Sequence, residues 1–373
     1  MLALRVVPKI YYFDTFKEFN EEFNLGERDV LVTNEWMYTP YVASLGINTN
    51  VIFQEQFGSG EPSDEMIDAM TKKINEYDFD RIIAFGGGTI VDICKILALD
   101  VPEKSIDLFT GAVAPVKAKK LVVVPTTCGT GSEVTNVAIA ELKSLHTKKG
   151  LAVEETYADA AVLIPESLGG LPDYVFATSS IDALIHAIES YLSPKASVFT
   201  EMYSLEAIEM IMDGYKKILD KGNTKENRLP YLKDFVIASN YAGIAFGNAG
   251  CAAVHALSYS IGGAFHVPHG EANYQFFTEV FKMYVRKNPN GKIAKANKIF
   301  ADILECDVKN VYDELDKFLG QLIAKKPLRE YGMTEEQIDS FTQSTIENQQ
   351  RLLANNYVQL SDDEIREIFK NLY

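Results

Sequence analysis

The chain has 373 residues, 47% of them hydrophobic and 24% charged, and a formal net charge of −16 at pH 7. That length allows two domains with buried cores, and the composition leaves no disordered or low-complexity class open. So acidic a surface repels phosphate backbones and anionic lipid, and no Lys/Arg run resembles a nucleic-acid footprint, so neither nucleic acid nor membrane is expected as a partner. The opening segment has no apolar stretch suited to a signal peptide, and no run of about 18 apolar residues occurs anywhere, so a soluble, cytoplasmic protein is expected. Cys94, Cys128, Cys251 and Cys306 are widely spaced, without a CxxC pair, which suits reduced and mostly buried thiols.

In chain order, short β-branched runs come first, each closed by polar or glycine punctuation: "DVLVTN" (29–34), "NVIFQEQF" (50–57), "RIIAFGGG" (81–88), "KLVVVPTT" (120–127) and "AAVLIPE" (160–166). These read as buried strands. Helical segments lie between them, "PSDEMIDAMTKKINEYD" (62–78) with Ser63 as its N-cap and "TIVDICKILALD" (89–100), and the alternation predicts a mostly parallel sheet wrapped on both faces. From about Asp173 only helical spacing remains, with capping-box starts at Thr334/Gln337 and Ser361/Glu364. The expectation is an α/β domain over residues 1–168 and an all-helical domain over 169–373, with the boundary in the Pro/Gly-rich stretch at 163–174.

Two loops of the first half suit a dinucleotide. Gly86, Gly87 and Gly88 follow one strand and open a helix, where glycine admits a close diphosphate and the helix end offers unpaired N–H groups. This is not the GxGxxG fingerprint. After the next strand, "PTTCGTGSEVTN" concentrates Thr126, Thr127, Thr130 and Ser132 with two glycines at what becomes the carboxyl edge of the sheet, where open α/β sheets bind ligands. Each loop alone is also compatible with a plain turn.

The second half holds a metal-like pattern. Asp182 and His186 stand four residues apart on an apolar helix, so both project from one face toward the interior, where a lone carboxylate is costly. Of the chain's five histidines, three lie in "VHALSYSIGGAFHVPHGEAN" (254–273). In one continuous helix His255 and His269 would lie roughly 21 Å apart, so they can share an ion only if the chain turns back. Gly262 and Gly263 are expected to stop the helix, and Pro268 to set His269 at the start of the next element. Asp182, His186, His255 and His269 then form an Asp-His₃ set that suits Fe(II), Zn(II) or Mn(II) and not Ca(II) or Mg(II).

With "GGGTIVD", "PTTCGTGSEVTN", "IDALIHAIESY" and "HALSYSIGGAFHVPHGEAN" in this order and spacing, the chain resembles the iron-containing (group III) alcohol dehydrogenases, relatives of the dehydroquinate-synthase-like fold, over nearly its full length. Within that family "GEPSDEM", "YAGIAFGNAG" and "QQRLLANNYV" are similar to the NAD-dependent members that interconvert 4-hydroxybutyrate and succinate semialdehyde. The resemblance implies a Rossmann-like dinucleotide domain and a helical metal domain. It implies Asp182, His186, His255 and His269 as metal ligands, with iron as the expected metal, and Gly87, Gly88, Asp92, Thr126, Thr127, Thr130, Ser132 and Lys148 around the dinucleotide.

Two positions depart from the family pattern. Many members have a proton-relaying histidine four residues after the third ligand, where this chain has Tyr259, which makes His266 the expected substitute. Many NAD-preferring members have an acidic residue near the adenosine ribose, where this chain has Asn34, so NAD is expected with NADP not excluded. The implied reaction is reversible hydride transfer between NAD(H) and a small hydroxy acid or alcohol, with a homodimer as the default assembly. The competing readings are a dehydrogenase for a neutral alcohol or diol, a lyase or synthase of the same fold that uses NAD and metal transiently, and a silent metal or nucleotide sensor.

Overall fold

The computed structural model describes residues 2–373. Two compact units form. One comprises Val6–Thr127 and Gly131–Leu171; the other comprises the residues up to Arg5, Cys128–Thr130 and Pro172–Tyr373.

The first unit is built on eight strands, β1 (Lys9–Tyr12), β2 (Asp29–Thr33), β3 (Asn50–Phe53), β4 (Arg81–Gly86), β5 (Lys120–Pro125), β6 (Val137–Leu142), β7 (Thr147–Ala152) and β8 (Ala160–Leu163). Six of them form a sheet in the order β1-β8-β5-β4-β2-β3, every pairing in it parallel, while β6 and β7 make a separate antiparallel hairpin. Helices α1 (Phe16–Phe23), α2 (Glu35–Tyr41), α3 (Asp64–Ile74), α4 (Gly88–Leu97) and α5 (Ile106–Thr110) complete it. Residues of β2 and β4 are buried on both faces, which is why these strands read as continuous apolar runs rather than alternating ones.

Successive side chains go to opposite sides. Val30, Val32, Ile82, Ala84, Leu121 and Val123 join α3, α4 and the β6–β7 hairpin in one core, while Leu31, Ile83, Phe85, Val122 and Val124 join Phe16, Phe19 and Met37 in the other. Each such large apolar side chain contributes about 1.5–3 kcal/mol on burial. Ser63 caps α3 as expected, its Oγ accepting from the Met66 N–H at 3.2 Å.

Three features were not anticipated from the sequence. Edge strand β1 is mostly exposed and carries no strand-like alternation. The run "NVIFQEQF" is strand only to Phe53 and turns into a 3₁₀ segment at Gln54–Phe57. In the β6–β7 hairpin, β6 (VAIAEL) buries alternate residues, while its partner β7, TKKGLA, is almost wholly exposed and offers no apolar run to read.

The second unit is helical: α6 (Asp173–Leu192), α7 (Val198–Leu219), α8 (Lys225–Arg228), α9 (Leu232–Ala249), α10 (Ala253–Phe265), α11 (His269–Lys287), α12 (Lys292–Leu304), α13 (Val311–Leu319), α14 (Gln337–Asn348), α15 (Gln350–Leu353) and α16 (Asp362–Leu372). Helix α6 is its axis, packed by α7, α9 and α11 and buried nearly all round, as an apolar 20-residue helix requires. The Ser361/Glu364 capping box opens α16. At Thr334/Gln337 only the N–H of Thr334 is met by Gln337 Oε1 (2.9 Å), and the helix begins at Gln337 itself. Among the described residues no helix is long and apolar enough to cross a membrane.

The expected helix stop at Gly262 and Gly263 is overturned. Helix α10 runs through both glycines to Phe265, and the reversal is made by His266, which takes a left-handed conformation (φ 53°), and by Pro268, which precedes α11. Two glycines with helical dihedrals need no break when neighbouring turns pack well, and the left-handed cap does the stopping. A Cβ at Gly263 would meet nothing within 4 Å. Gly263→Ala is therefore expected to raise stability by about 0.5–1 kcal/mol through the lost unfolded-state freedom of glycine. A lower urea midpoint than wild type would show that this turn needs glycine.

Candidate metal centre and nucleotide edge

Asp182, His186 and Glu189 occupy one stripe of α6, spaced four and three residues apart. Because α6 is buried on every side from Ser180 onward, all three are buried, at 2%, 4% and 1% exposure. His255 comes from the first turn of α10 and His269 is the first residue of α11. The structure thus brings Asp182, His186, His255 and His269 together, each offering a donor atom within 4.8 Å of the others.

The spacings suit one small cation. Asp182 Oδ1 lies 3.8 Å from His255 Nε2 and 3.9 Å from His269 Nε2, too far for hydrogen bonds, and His255 Nε2 lies 3.0 Å from His186 Nε2. Donors placed 2.0–2.2 Å from one ion are separated by roughly 3–4 Å. Two ring nitrogens 3.0 Å apart cannot point lone pairs at each other without a proton or a cation between them.

The surroundings fix which nitrogens are free. His186 is driven down to about 3 by burial, with Asp182 opposing and the other imidazoles reinforcing, so it is a neutral ring, the form a metal requires. Its Nδ1 faces the Gly129 carbonyl at 3.3 Å, and its ring stacks on Phe246. The close approach depends on glycine, since a Cβ at position 129 would sit 2.7 Å from the Ser179 carbonyl oxygen. Burial would raise the Asp182 carboxyl, but the three imidazoles and a hydrogen bond from Asn273 outweigh it and hold it below its ordinary value.

Glu189 was not anticipated as a functional residue. It accepts the N–H groups of Ala252 (2.9 Å) and Val254 (2.7 Å) and holds His255 Nδ1 at 2.6 Å, which turns His255 Nε2 toward the centre. Its signal in the sequence was the third polar position of the α6 stripe. Asn273, one turn after His269, was also missed; its Nδ2 donates to Asp182 Oδ1 (2.7 Å) and lies 3.1 Å from His269 Nε2, while Ser258 Oγ donates to its Oδ1. Gly270 lets α11 press on α6, where a Cβ would come 2.4 Å from the Thr178 carbonyl oxygen.

The two residues singled out for proton transfer differ in setting. Tyr259, one turn beyond His255, lies with its ring 6.3 Å from that of His269, and burial pushes its phenol up. His266 is exposed at the left-handed end of α10.

In the first unit the nucleotide-type residues gather at one sheet edge. Strand β2 is flanked by β3 on one side and β4 on the other, so the connections leaving β2 and β4 diverge, the switch point at which open α/β sheets take ligands. Asn34 follows β2 there, and Gly86 ends β4 with Gly87 and Gly88 just beyond it. Helix α4 begins at Gly88 with no side-chain cap on its N-terminus, and the Thr127 methyl lies 3.4 Å from where a Gly87 Cβ would be. Thr126 donates its N–H to the Gly86 carbonyl at 3.1 Å, which joins the two loops. Lys148 reaches the same region through an ion pair with Glu61, whose neighbour Gly60 accepts from Thr89 Oγ1.

Asp92 and Ser132 form a tie between α4 and the second loop. Ser132 Oγ donates to Asp92 Oδ1 (2.8 Å), Ile139 N–H donates to its Oδ2 (3.0 Å), and the buried Lys95, not foreseen, donates to Ser132 Oγ (2.7 Å) and the Val137 carbonyl (2.7 Å). Burial lowers Lys95 to about 8 against the pull of Asp92 and Glu133. Thr130 lies with the helical unit, next to Gly129. Asn34 Nδ2 donates to Glu55 Oε2 (2.8 Å), and the Glu35 N–H donates to Glu55 Oε1 (2.7 Å), so a carboxylate from the end of β3 stands beside Asn34.

Because Glu189 both aims His255 and satisfies two backbone donors, Glu189→Gln is expected to weaken metal retention by about 10- to 100-fold. Competition with a chelator measures this, and unchanged retention would remove Glu189 from the centre's support.

A family model described as "Iron-containing alcohol dehydrogenase" matches residues 8–165, and "Fe-containing alcohol dehydrogenase family, C-terminal" matches residues 176–373. The chain is 55% identical to the 4-hydroxybutyrate dehydrogenase of Clostridium kluyveri over 373 residues, all of both chains. It is 34% identical to long-chain-alcohol dehydrogenase 1 of Geobacillus thermodenitrificans, over 78% of this chain and 74% of that one. In fold it matches the crystal structure of sulfoacetaldehyde reductase from Bifidobacterium kashiwanohense in complex with NAD+, with a TM-score of 0.85 and 22% identity, covering 100% of this chain and 99% of that one. The α/β unit with a parallel sheet, the helical unit with its Asp-His₃ cluster and these matches agree: the chain belongs to the iron-containing alcohol dehydrogenase family.

Proposed function

We propose that the chain is an iron(II)- and NAD-dependent dehydrogenase that interconverts 4-hydroxybutyrate and succinate semialdehyde. The observation that carries the reading is the convergence of Asp182, His186, His255 and His269 in a chain 55% identical, end to end, to a 4-hydroxybutyrate dehydrogenase. One carboxylate and three imidazoles suit Fe(II), with Zn(II) and Mn(II) accommodated by the same donors.

When bound, the metal supplies Lewis acidity toward the substrate oxygen and NAD accepts the hydride. The chain's own residues do the rest. Asp182 supplies a single negative charge, so a dication held there keeps a net positive centre for an alcohol oxygen. Glu189 keeps His255 aimed, whereas Asn273, which steadies Asp182, would release His269 Nε2 to a metal ion. Gly86–Gly88 and the uncapped start of α4 receive the diphosphate. The Glu55 carboxylate, held by Asn34 and the Glu35 N–H, serves the adenosine ribose in place of the acidic residue missing at position 34, and its charge opposes a 2′-phosphate. Binding of NAD+ by the similarly folded sulfoacetaldehyde reductase supports this choice.

Tyr259, a half-buried phenol with a raised pKa, keeps its proton. His266, exposed at the end of α10, passes the released proton to water.

The iron(II)-loaded protein, assayed at 340 nm without oxygen, is expected to oxidise 4-hydroxybutyrate with NAD well ahead of NADP, and ahead of 1-butanol and 1,3-propanediol. Equal or better turnover of the neutral alcohols would overturn the substrate reading, and no net absorbance change would point to a lyase or synthase. His266→Ala is expected to lower turnover by about 10- to 100-fold with metal content retained, and added imidazole should recover part of it. Loss of metal instead would make His266 a ligand, and unchanged turnover would place the relay elsewhere.

A further inference from the structure

A substrate that ends in a carboxylate meets an unfavourable field in a chain of net charge −16, so a cation or a nest of backbone N–H groups is expected to hold it. The cations of the helical unit are widely committed: Arg228 pairs with Asp173, Arg286 with Glu367, Arg366 with Asp339 and Asp363, Lys325 with Asp316 and Lys216 with Glu305. Arg351 differs. Among the described residues its guanidinium makes no ion pair and no hydrogen bond, and its only bond is through the backbone carbonyl, which accepts from Asn355 at 3.4 Å.

Its position is fixed although its head group is free. Arg351 lies on α15, which packs on α10, the helix that carries His255 and Tyr259. Leu352 and Leu353 are buried beneath it, and two buried asparagines anchor the chain just beyond. Asn355 Nδ2 donates to the carbonyl of Cys251, four residues before His255, and Asn356 Oδ1 accepts from the Tyr284 hydroxyl at 3.0 Å. Asn355 also closes on Gly250, where a Cβ would come within 2.4 Å of its Nδ2. Asn355 Nδ2 lies 3.4 Å from the Arg351 carbonyl and 2.8 Å from that of Cys251, so Arg351, with its side chain exposed, stands beside the start of α10, the turn that carries His255, and its charge is felt at Tyr259.

We propose that Arg351 binds the carboxylate of the substrate while the substrate's hydroxyl end lies at the Asp-His₃ centre. The assignment rests on the 4-hydroxybutyrate reading above. A guanidinium with no protein partner offers a two-pronged donor matched to a carboxylate, and no existing pair has to be broken to use it. The same charge is no help to a neutral alcohol, so Arg351 separates the two substrate classes by more than size.

The test uses the iron(II)-loaded, NAD-dependent holoenzyme and its Arg351→Gln and Arg351→Lys variants, with 4-hydroxybutyrate and 1-butanol as substrates and calorimetric binding of the unreactive anion butyrate as a second readout. Loss of a charge-assisted hydrogen bond is expected to raise the KM for 4-hydroxybutyrate by about 10- to 100-fold in Arg351→Gln and to weaken butyrate by a similar factor, while the KM for 1-butanol changes by less than about twofold. Arg351→Lys should recover part of the loss, because it restores the charge without the fork. If Arg351→Gln leaves the 4-hydroxybutyrate KM and butyrate affinity unchanged, or impairs both substrates equally, Arg351 is a solvated surface residue and the proposal falls. If the wild-type protein oxidises 1-butanol but not 4-hydroxybutyrate, the substrate reading fails instead, and butyrate affinity alone then decides whether Arg351 is an anion site.

Discussion

The helical unit is organised around a carboxylate that its surroundings leave no water to solvate. Asp182 sits on a helix buried on every side, at 2% exposure, where an isolated charge costs far more than one hydrogen bond returns. Three imidazoles and the Asn273 amide face it, and none of the imidazoles is close enough to hydrogen-bond it. The arrangement makes electrostatic sense as a socket for a cation. Features that look unrelated in the sequence serve it: Gly270 lets α11 touch α6, Gly129 brings a carbonyl to His186, and Glu189 anchors the start of α10 by two N–H groups and one imidazole.

The sheet unit solves a different problem, which is to leave donors unsatisfied at one edge. Its strands are sealed into two cores, yet the start of α4 has no side-chain cap and is approached by the threonines of the second loop. Keeping that edge open demands rigidity just behind it. Lys95, buried and lowered to about 8, together with Asp92 and Ser132, ties α4 to the loop and to β6 with hydrogen bonds that all face inward. Asp92 and Ser132, which the family resemblance sets around a dinucleotide, therefore bond in this structure to each other, joining α4 to the loop after β5, and to β6.

What could be read beforehand followed from periodicity. Buried parallel strands are apolar runs, and β2, β4, β5 and β8 appeared as such; Asp182 and His186 announced a shared face by spacing alone. What could not be read depended on packing. The turn between His255 and His269 was assigned to Gly262 and Gly263 because glycine is the usual helix stop, whereas the left-handed residue is His266, a non-glycine position held there by the following Pro268 and α11. Lys95 looked like an ordinary helix lysine, since nothing local says that Ser132 and the Val137 carbonyl will close over it. Glu55 looked like a loop acid, and only the juxtaposition of the ends of β2 and β3 gives it Asn34 as a partner.

The centre also has a direction. Asp182, His186 and His255 are almost sealed, whereas the His269 side chain is 37% exposed, so an oxygen atom from outside can reach the donors only past His269. That side is where Tyr259 lies. The chain order explains the asymmetry. Asp182 and His186 belong to a helix fixed along its full length and His255 to one clamped at its start by Glu189, but His269 is the first residue of α11, placed by a reversal whose outer member, His266, faces water. The donor that opens its helix as the first residue is thus the one left open to an approaching oxygen atom, while the other three are held by buried surroundings.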